Sequence, residues 1–161
     1  FNLPVIIARP FNTFGPRQSL RAVIPNLIVQ LLDQKKSIYV GNLNTTRDFN
    51  YVRDTTNAFI CIMKNYKNCV GEIINIGSGY EISIKEIYEM MTKILKRKKK
   101  LIIEKKRLRP SKSEVFRLIC DNQKLIKLTS WNVKESGKNK LIKGLTKSIE
   151  WYKKKRKFNQ I

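Results

Sequence analysis

Three polar loops could do chemistry, and two of them carry an arginine where a crevice at the strand ends would lie. The first loop, ARPFNTFGPRQS, contains Asn12 and Arg17, the second, NTTRDF, contains Arg47, and the third, RLRPSKSEV, contains Arg109. The arginine side chain presents a planar fork of donors that matches phosphate oxygens, so two arginines from separate loops could hold a diphosphate. For each arginine alone, a solvated surface charge is the alternative.

The sequence contains no complete catalytic constellation. It has no histidine, no phosphate-binding P-loop, no Gly-x-Gly-x-x-Gly, no Gly-x-Ser-x-Gly and no Tyr-x-x-x-Lys pair. Asp48 and Asp54 are predicted to be turn or helix-cap residues, and Glu114 a surface or loop partner. Candidate acid and base groups are therefore limited to ordinary carboxylates.

The cysteines and the apolar runs bound the cellular setting. Cys61, Cys69 and Cys120 lack a Cys-x-x-Cys spacing and have no histidine to assist them, so no zinc site is expected. Unpaired thiols are typical of a reducing compartment, which predicts a cytoplasmic protein. No uncharged apolar run reaches 18 residues, so no membrane span is predicted.

The formal charge of +22 is concentrated in the second half of the chain. Residues 93–161 hold 24 Lys and Arg against 5 Asp and Glu, so they carry +19. A field of that size attracts phosphate polymers, and a basic nucleic-acid-binding module is one interpretation. The other is that lysines from a coding sequence rich in A and T decorate solvated faces.

The elements that position these loops alternate between strand and helix, which predicts the α/β class. The run at residues 3–8, LPVIIA, is apolar without alternation, as expected of a parallel strand buried on both faces. Further strands are predicted at residues 37–41, 72–79 and 101–103, and helices at 22–33, from Asp54, from Ser83, from Asp121 or Asn122, and at 138–157. The helix from Asp54 is expected to bury Ala58, Phe59, Ile62 and Met63.

Five segments resemble, in order, the extended short-chain dehydrogenase/reductases that act on nucleotide sugars, the epimerase/dehydratase group. They are LPVIIARPFNTFGPRQS, AVIPNLIVQLL, TRDFNYVRDTTNAF, INIGSGYEISIKEI and RPSKSEVFRLICDNQKLIKLTSW. The family's Gly-Trp-x-Pro appears as Ser130, Trp131, Asn132 and Val133, and Phe14 stands where Tyr is common. These departures leave the entry to the last helix in doubt.

The resemblance implies that residues 1–161 form the C-terminal, nucleotide-sugar-binding portion of a Rossmann-like enzyme. The N-terminal portion, with the glycine motif that binds most of NAD or NADP and the catalytic Tyr and Lys, is expected to lie upstream. This segment alone would then be inactive, and the full-length parent would be a cytoplasmic homodimer.

The resemblance also assigns roles to individual residues. Asn12 matches the substrate-binding Asn, Arg47 and Arg109 match the two positions that hold the diphosphate, and Asn75 matches a position near the substrate. Pro10 and Phe11 match the loop at the nicotinamide end of the cofactor, and Arg17 is a lesser substrate-binding candidate. The residues expected near the nucleotide base, with plain core as the alternative, are Val23, Ile24, Ile38, Tyr39 and Val40.

The expected reaction is that of an NAD-dependent sugar-nucleotide 4,6-dehydratase. A 4-epimerase of the same group is the alternative within the family. A basic nucleic-acid-binding module and an inactive fragment are the alternatives outside it.

Overall fold

The computed structural model of the chain describes residues 3–131 and 137–157. The chain divides into two compact units. Unit 1 comprises Phe1–Phe14, Asp48–Glu81 and Leu118–Leu141, and unit 2 comprises Gly15–Arg47, Ile82–Arg117 and Ile142–Ile161.

Short strands and six helices alternate along the described residues. The strands are β1 (Ile7–Pro10), β2 (Thr13–Phe14), β3 (Ser37–Val40), β4 (Thr46–Asp48), β5 (Asn50–Tyr51), β6 (Ile73–Ile76), β7 (Glu81–Ser83), β8 (Lys100–Ile103) and β9 (Arg117–Leu118). The helices are α1 (Val23–Leu32), α2 (Val52–Lys64), α3 (Tyr66–Cys69), α4 (Ile84–Leu95), α5 (Gln123–Thr129) and α6 (Lys138–Lys157). The pairs β1-β6, β2-β5 and β3-β8 are parallel, and β7-β4-β9 form a three-stranded sheet.

In unit 1, β1 and β6 run parallel in register, from Ile7 opposite Ile73 to Pro10 opposite Ile76. One face of this pair is covered, because its side chains pack with α2 and α5 into one apolar cluster. The fully buried members of the cluster include Ala58, Cys69, Ile74, Ile76 and Leu125.

The prediction that residues 3–8 form one strand is wrong, and within this chain the segment is not buried on both faces. Strand β1 begins only at Ile7, and Leu3, Val5 and Ile7 are 71%, 54% and 48% exposed. In the described residues, the helices of unit 1 cover only the face that carries Ile6 and Ala8, so the alternate side chains remain in solvent.

Helix α2 also departs from its prediction. It begins at Val52 with Tyr51 as N-cap, so Asp54 lies in the first turn, where a carboxylate favours the positive end of the helix dipole. Ala58 and Ile62 are buried as expected, but Phe59 and Met63 are 39% and 72% exposed. The apolar stripe of α2 is therefore wider than the surface that covers it.

Unit 2 is built on the β3-β8 pair, with α1 and α4 packed together and α1 against β3. The predicted helices at 22–33 and from Ser83 are confirmed. Ser83 accepts from the Glu86 N–H while the Glu86 side chain accepts from the Ser83 N–H, which is a complete capping box. The largest fully buried side chains of unit 2 are Ile24, Leu27, Ile28, Leu31, Ile38, Ile82, Ile87 and Met91.

Helix α6 has the predicted bounds, Lys138–Lys157. Its buried side chains recur at helical spacing and are Leu141, Leu145, Ile149 and Tyr152. The Tyr152 hydroxyl donates a hydrogen bond to the Gln18 carbonyl at 2.7 Å. None of the helices in the described ranges is long and apolar enough to cross a membrane.

Candidate functional site

The carboxylate of Asp48 organises the strand ends of unit 1. It is fully buried and accepts hydrogen bonds from the Ser78 N–H at 2.9 Å, the Ser78 hydroxyl at 2.6 Å and the Gly79 N–H at 2.8 Å. The Cys120 N–H donates to the same carboxylate at 3.2 Å. A buried anion with several donors is stable where a bare one is not, so Asp48 fixes the Gly-Ser-Gly turn after β6.

This role of Asp48 was missed by the sequence interpretation, which placed it in a turn or cap. Two signals were available in the sequence: a charged residue within a strand pattern and, much later in the chain, a Gly-Ser-Gly turn whose amides need acceptors. The turn itself is tightly packed, because a Cβ added at Gly77 would overlap Cys120 and lie 3.1 Å from Asp48 Oδ2. The Asn122 side chain donates to the Gly77 carbonyl at 2.9 Å.

Asn12 lies between β1 and β2, and both its side chain and its backbone carbonyl form hydrogen bonds. Its Nδ2 donates to the Asp48 carbonyl at 3.4 Å, and its own carbonyl accepts from the Asn50 N–H at 3.1 Å. The side chain is half-buried, so it remains accessible. Its predicted role as substrate ligand stays a prediction.

The other unit 1 candidates lie in or directly after the paired strands β1 and β6. Asn75 is half-buried and stands opposite Arg9 in the β1-β6 pair. Pro10 ends β1 and is exposed, and Phe11 donates its N–H to the Ile76 carbonyl at 2.8 Å. Their predicted contact with the nicotinamide end of a cofactor stays a prediction.

Unit 1 also contains an aromatic recess with an ion pair in its wall. Phe14 packs edge-on to Phe49, with ring centroids 6.4 Å apart, and tilted against Tyr51 at 5.7 Å. Lys140 Nζ lies 3.0 Å from Asp54 Oδ1, so the residue predicted as a cap instead pairs with α6. The recess is lined by Phe14, Phe49, Asn50, Tyr51, Asp54, Ser78, Tyr80, Gly137, Lys140 and Leu141.

In unit 2, the two predicted phosphate-binding arginines interact electrostatically. Burial lowers the pKa of Arg47, Glu114 opposes the shift, and the charge of Arg109 adds a smaller lowering. Arg47 Nη1 donates to the Thr46 carbonyl at 2.7 Å, while Nη2 is 3.8 Å from Glu114 Oε1. The Arg47 side chain is 16% exposed, and Arg109 is exposed.

Glu114 had been expected at a surface or loop, and the structure gives it a defined position. The Thr46 N–H donates to the Phe116 carbonyl at 2.8 Å, which places the segment after Arg109 beside β4. The 3.8 Å separation from Arg47 is longer than a hydrogen bond, so Glu114 offsets the charge without holding the guanidinium tightly.

Unit 2 carries most of the charge of the chain. By residue range it contains 25 of the 34 Lys and Arg and 6 of the 12 Asp and Glu, which gives +19 of the total +22. The potential of this unit favours a polyanionic ligand, such as a diphosphate, and raises its encounter rate at low salt.

Some of the residues predicted to lie near the nucleotide base are in the core of unit 2, and others are at its surface. Ile24, Ile38 and Val40 are 2%, 0% and 4% exposed, so they belong to the core of unit 2. Tyr39 is 42% exposed. Val23 is half-buried, and Arg17 is exposed with a φ of 67°, a left-handed conformation uncommon for a side chain of its size.

Residues 1–143 match the family described as GDP-mannose 4,6 dehydratase. The chain belongs to the GDP-mannose 4,6-dehydratase family. The predicted relationship to extended short-chain dehydrogenases and the α/β class are thereby confirmed.

Similar proteins include both dehydratases and epimerases. A dTDP-D-glucose 4,6-dehydratase of Dictyostelium discoideum is 41% identical over 52% of this chain and 19% of its own length. A putative UDP-glucose 4-epimerase of Methanocaldococcus jannaschii is 30% identical over 95% of this chain and 47% of its own. The chain thus spans less than half the length of these relatives.

A solved structure of UDP-glucuronic acid 4-epimerase from Bacillus cereus, in complex with UDP-glucuronic acid and NAD, superposes with a TM-score of 0.83. It is 29% identical, and the match covers 96% of this chain and 46% of that one. A dTDP-glucose 4,6-dehydratase from Bacillus anthracis, in complex with NAD, gives a TM-score of 0.81 at 26% identity, over 98% of this chain and 47% of that one.

Replacing Asp48 by Asn should lower the free energy of unfolding by about 2–4 kcal/mol, because the amide presents a donor to buried N–H groups and removes the charge. Urea unfolding followed by circular dichroism measures the change. The matched control is Asp54→Asn, which breaks a partly exposed ion pair and should cost about 1 kcal/mol or less. Equal losses in the two variants would contradict the assignment.

Cys120 should resist alkylation in the native protein. Burial, with Asp48 and then Asp121, raises the pKa of the Cys120 thiol to about 12, so its reactive thiolate is scarce at pH 9. Iodoacetamide at pH 9 followed by peptide mass spectrometry should label the half-buried Cys61 first. In urea all three cysteines should react alike, and native labelling of Cys120 as fast as Cys61 would refute the prediction.

Proposed function

We propose that unit 2 binds the diphosphate of a nucleotide diphosphate sugar through Arg47 and Arg109. The observation that carries the proposal is Arg47, whose side chain is 16% exposed and whose acidic neighbour Glu114 lies 3.8 Å away, beyond hydrogen-bond distance, while the charge of Arg109 also acts on it. Two guanidinium groups from separate segments can each give a bidentate contact, which a pair of adjacent phosphates requires. The family membership supports this ligand class.

The whole protein is proposed to be an NAD-dependent sugar-nucleotide 4,6-dehydratase. A bound nicotinamide cofactor would accept and return a hydride at the sugar. The part of this chain is to bind the substrate away from the reacting carbon, so that binding energy orients the sugar. Because the sequence has no Tyr-x-x-x-Lys pair, the segment by itself is expected to be inactive.

A 4-epimerase of the same group is the second candidate. Its support is the putative UDP-glucose 4-epimerase from Methanocaldococcus jannaschii, which is 30% identical and aligns with 95% of this chain. Cytoplasmic location, dimer formation and the contact of Asn12 with the sugar all stay predictions.

Replacing Arg47 by Ala in the native full-length polypeptide should weaken nucleotide-sugar binding roughly ten- to a hundredfold, since a charged hydrogen-bonding group is lost. Isothermal titration calorimetry with UDP-glucose and dTDP-glucose measures it, and NAD affinity should change little. Arg21→Ala, an exposed arginine of the same unit, is the control. Unchanged substrate affinity in the Arg47 variant would contradict the proposal.

The mass of the product distinguishes the two reactions. A 4,6-dehydratase releases a keto sugar nucleotide lighter than its substrate by one water, whereas a 4-epimerase releases an isomer of equal mass. Incubation of the native polypeptide with NAD and each nucleotide sugar, followed by mass spectrometry, should show loss of water. A product of unchanged mass with altered chromatographic retention would favour the epimerase.

A further inference from the structure

One edge of strand β3 is closed by a side chain rather than by a strand. On the other edge, β8 pairs in parallel, and the Val40 carbonyl accepts from the Glu104 N–H at 2.9 Å. In a strand, alternate residues direct their backbone groups to opposite edges, so those of Tyr39 face away from β8. The Tyr39 N–H donates to Gln30 Oε1 at 2.7 Å, and Gln30 Nε2 donates to the Tyr39 carbonyl at 3.0 Å.

Gln30 is itself held in place. Its Nε2 also donates to Asn26 Oδ1 at 2.7 Å, one turn earlier on α1. The end of α1 is anchored by Lys99, whose Nζ donates to the carbonyls of Gln30 and Asp33, each at 2.6 Å. Gln30 is therefore a fixed clamp that satisfies both backbone groups of a single strand residue.

The clamp sets the position of an exposed aromatic ring. Ile38 and Val40 are buried in the core, so alternation along β3 places the Tyr39 ring on the opposite face, where it is 42% exposed. Because both backbone groups of Tyr39 are bound by one carboxamide, the Cα atom that carries the ring cannot shift along the edge without breaking both hydrogen bonds. An exposed ring carried on a fixed backbone position offers a face for stacking on a planar base.

We propose that Gln30 is a positioning residue, which holds Tyr39 as the stacking surface for the base of the nucleotide sugar. This inference rests on the proposed function, because it requires a nucleotide ligand in unit 2. It adds a residue of α1 that touches no ligand and acts through the backbone of Tyr39.

The test replaces Gln30 by Met, which has similar volume but none of the hydrogen bonds, in the native full-length polypeptide. The Tyr39 amide should exchange with deuterium faster, the Kd for UDP-glucose or dTDP-glucose should rise about fivefold, and kcat at saturation should hold. Gln30→Glu keeps the acceptor for the Tyr39 N–H, so its amide exchange rate and its Kd should lie between those of the wild type and of Gln30→Met. The control is Gln34→Met, an exposed glutamine just beyond α1.

Two further measurements separate positioning from general stability. In a Tyr39→Ala background, Gln30→Met should cause no additional loss of affinity, and binding of the base-free probe pyrophosphate should be unaffected by it. An unchanged Kd, an unchanged exchange rate of the Tyr39 amide, or the same loss without the Tyr39 ring each overturns the proposal. If Arg47→Ala binds nucleotide sugars normally while Gln30→Met does not, only the diphosphate assignment fails; a wild type that binds none refutes both.

Discussion

The buried carboxylate of Asp48 is the interaction on which the candidate site of unit 1 depends. It is the shared acceptor for the Ser78, Gly79 and Cys120 amides, groups that would otherwise be costly to bury. By fixing the turn after β6, it fixes the ends of the parallel strands, where open α/β sheets place their ligands. The backbone carbonyl of the same residue accepts from Asn12, so the loop after β1 is tied to it as well.

In unit 2 the surroundings of Arg47 set its electrostatics. Burial lowers the pKa of Arg47, Glu114 at 3.8 Å partly opposes that shift, and the charge of Arg109 adds a smaller lowering. An anion bound at Arg47 would favour its charged form, because it adds negative charge beside the guanidinium. The general positive potential of this unit attracts an anion over a longer range.

Much of the fold could be predicted from local patterns. The apolar spacing of α1 and α6, and the capping box formed by Ser83 and Glu86, are properties of contiguous residues, and the observed helices agree with them. The predictions were wrong where packing by distant segments of the chain determines whether a side chain is buried. Residues 3–8 carry the composition of a two-sided core strand, yet side chains such as Val5 are exposed, because the described helices of unit 1 cover only one face.

By itself, the sequence determined the α/β class, the helices with strong periodicity and the family, because these depend on local spacing and on motifs in order. Only the tertiary structure decided the chemical environment of each polar group. Asp48 binds Ser78 and Cys120, 30 and 72 residues away, and Gln30 closes the strand edge at Tyr39. No local pattern encodes such pairs, because a carboxylate or amide has the same hydrogen-bonding groups in a turn as in a buried cluster. Its partners are decided only when the fold brings distant segments of the chain next to it.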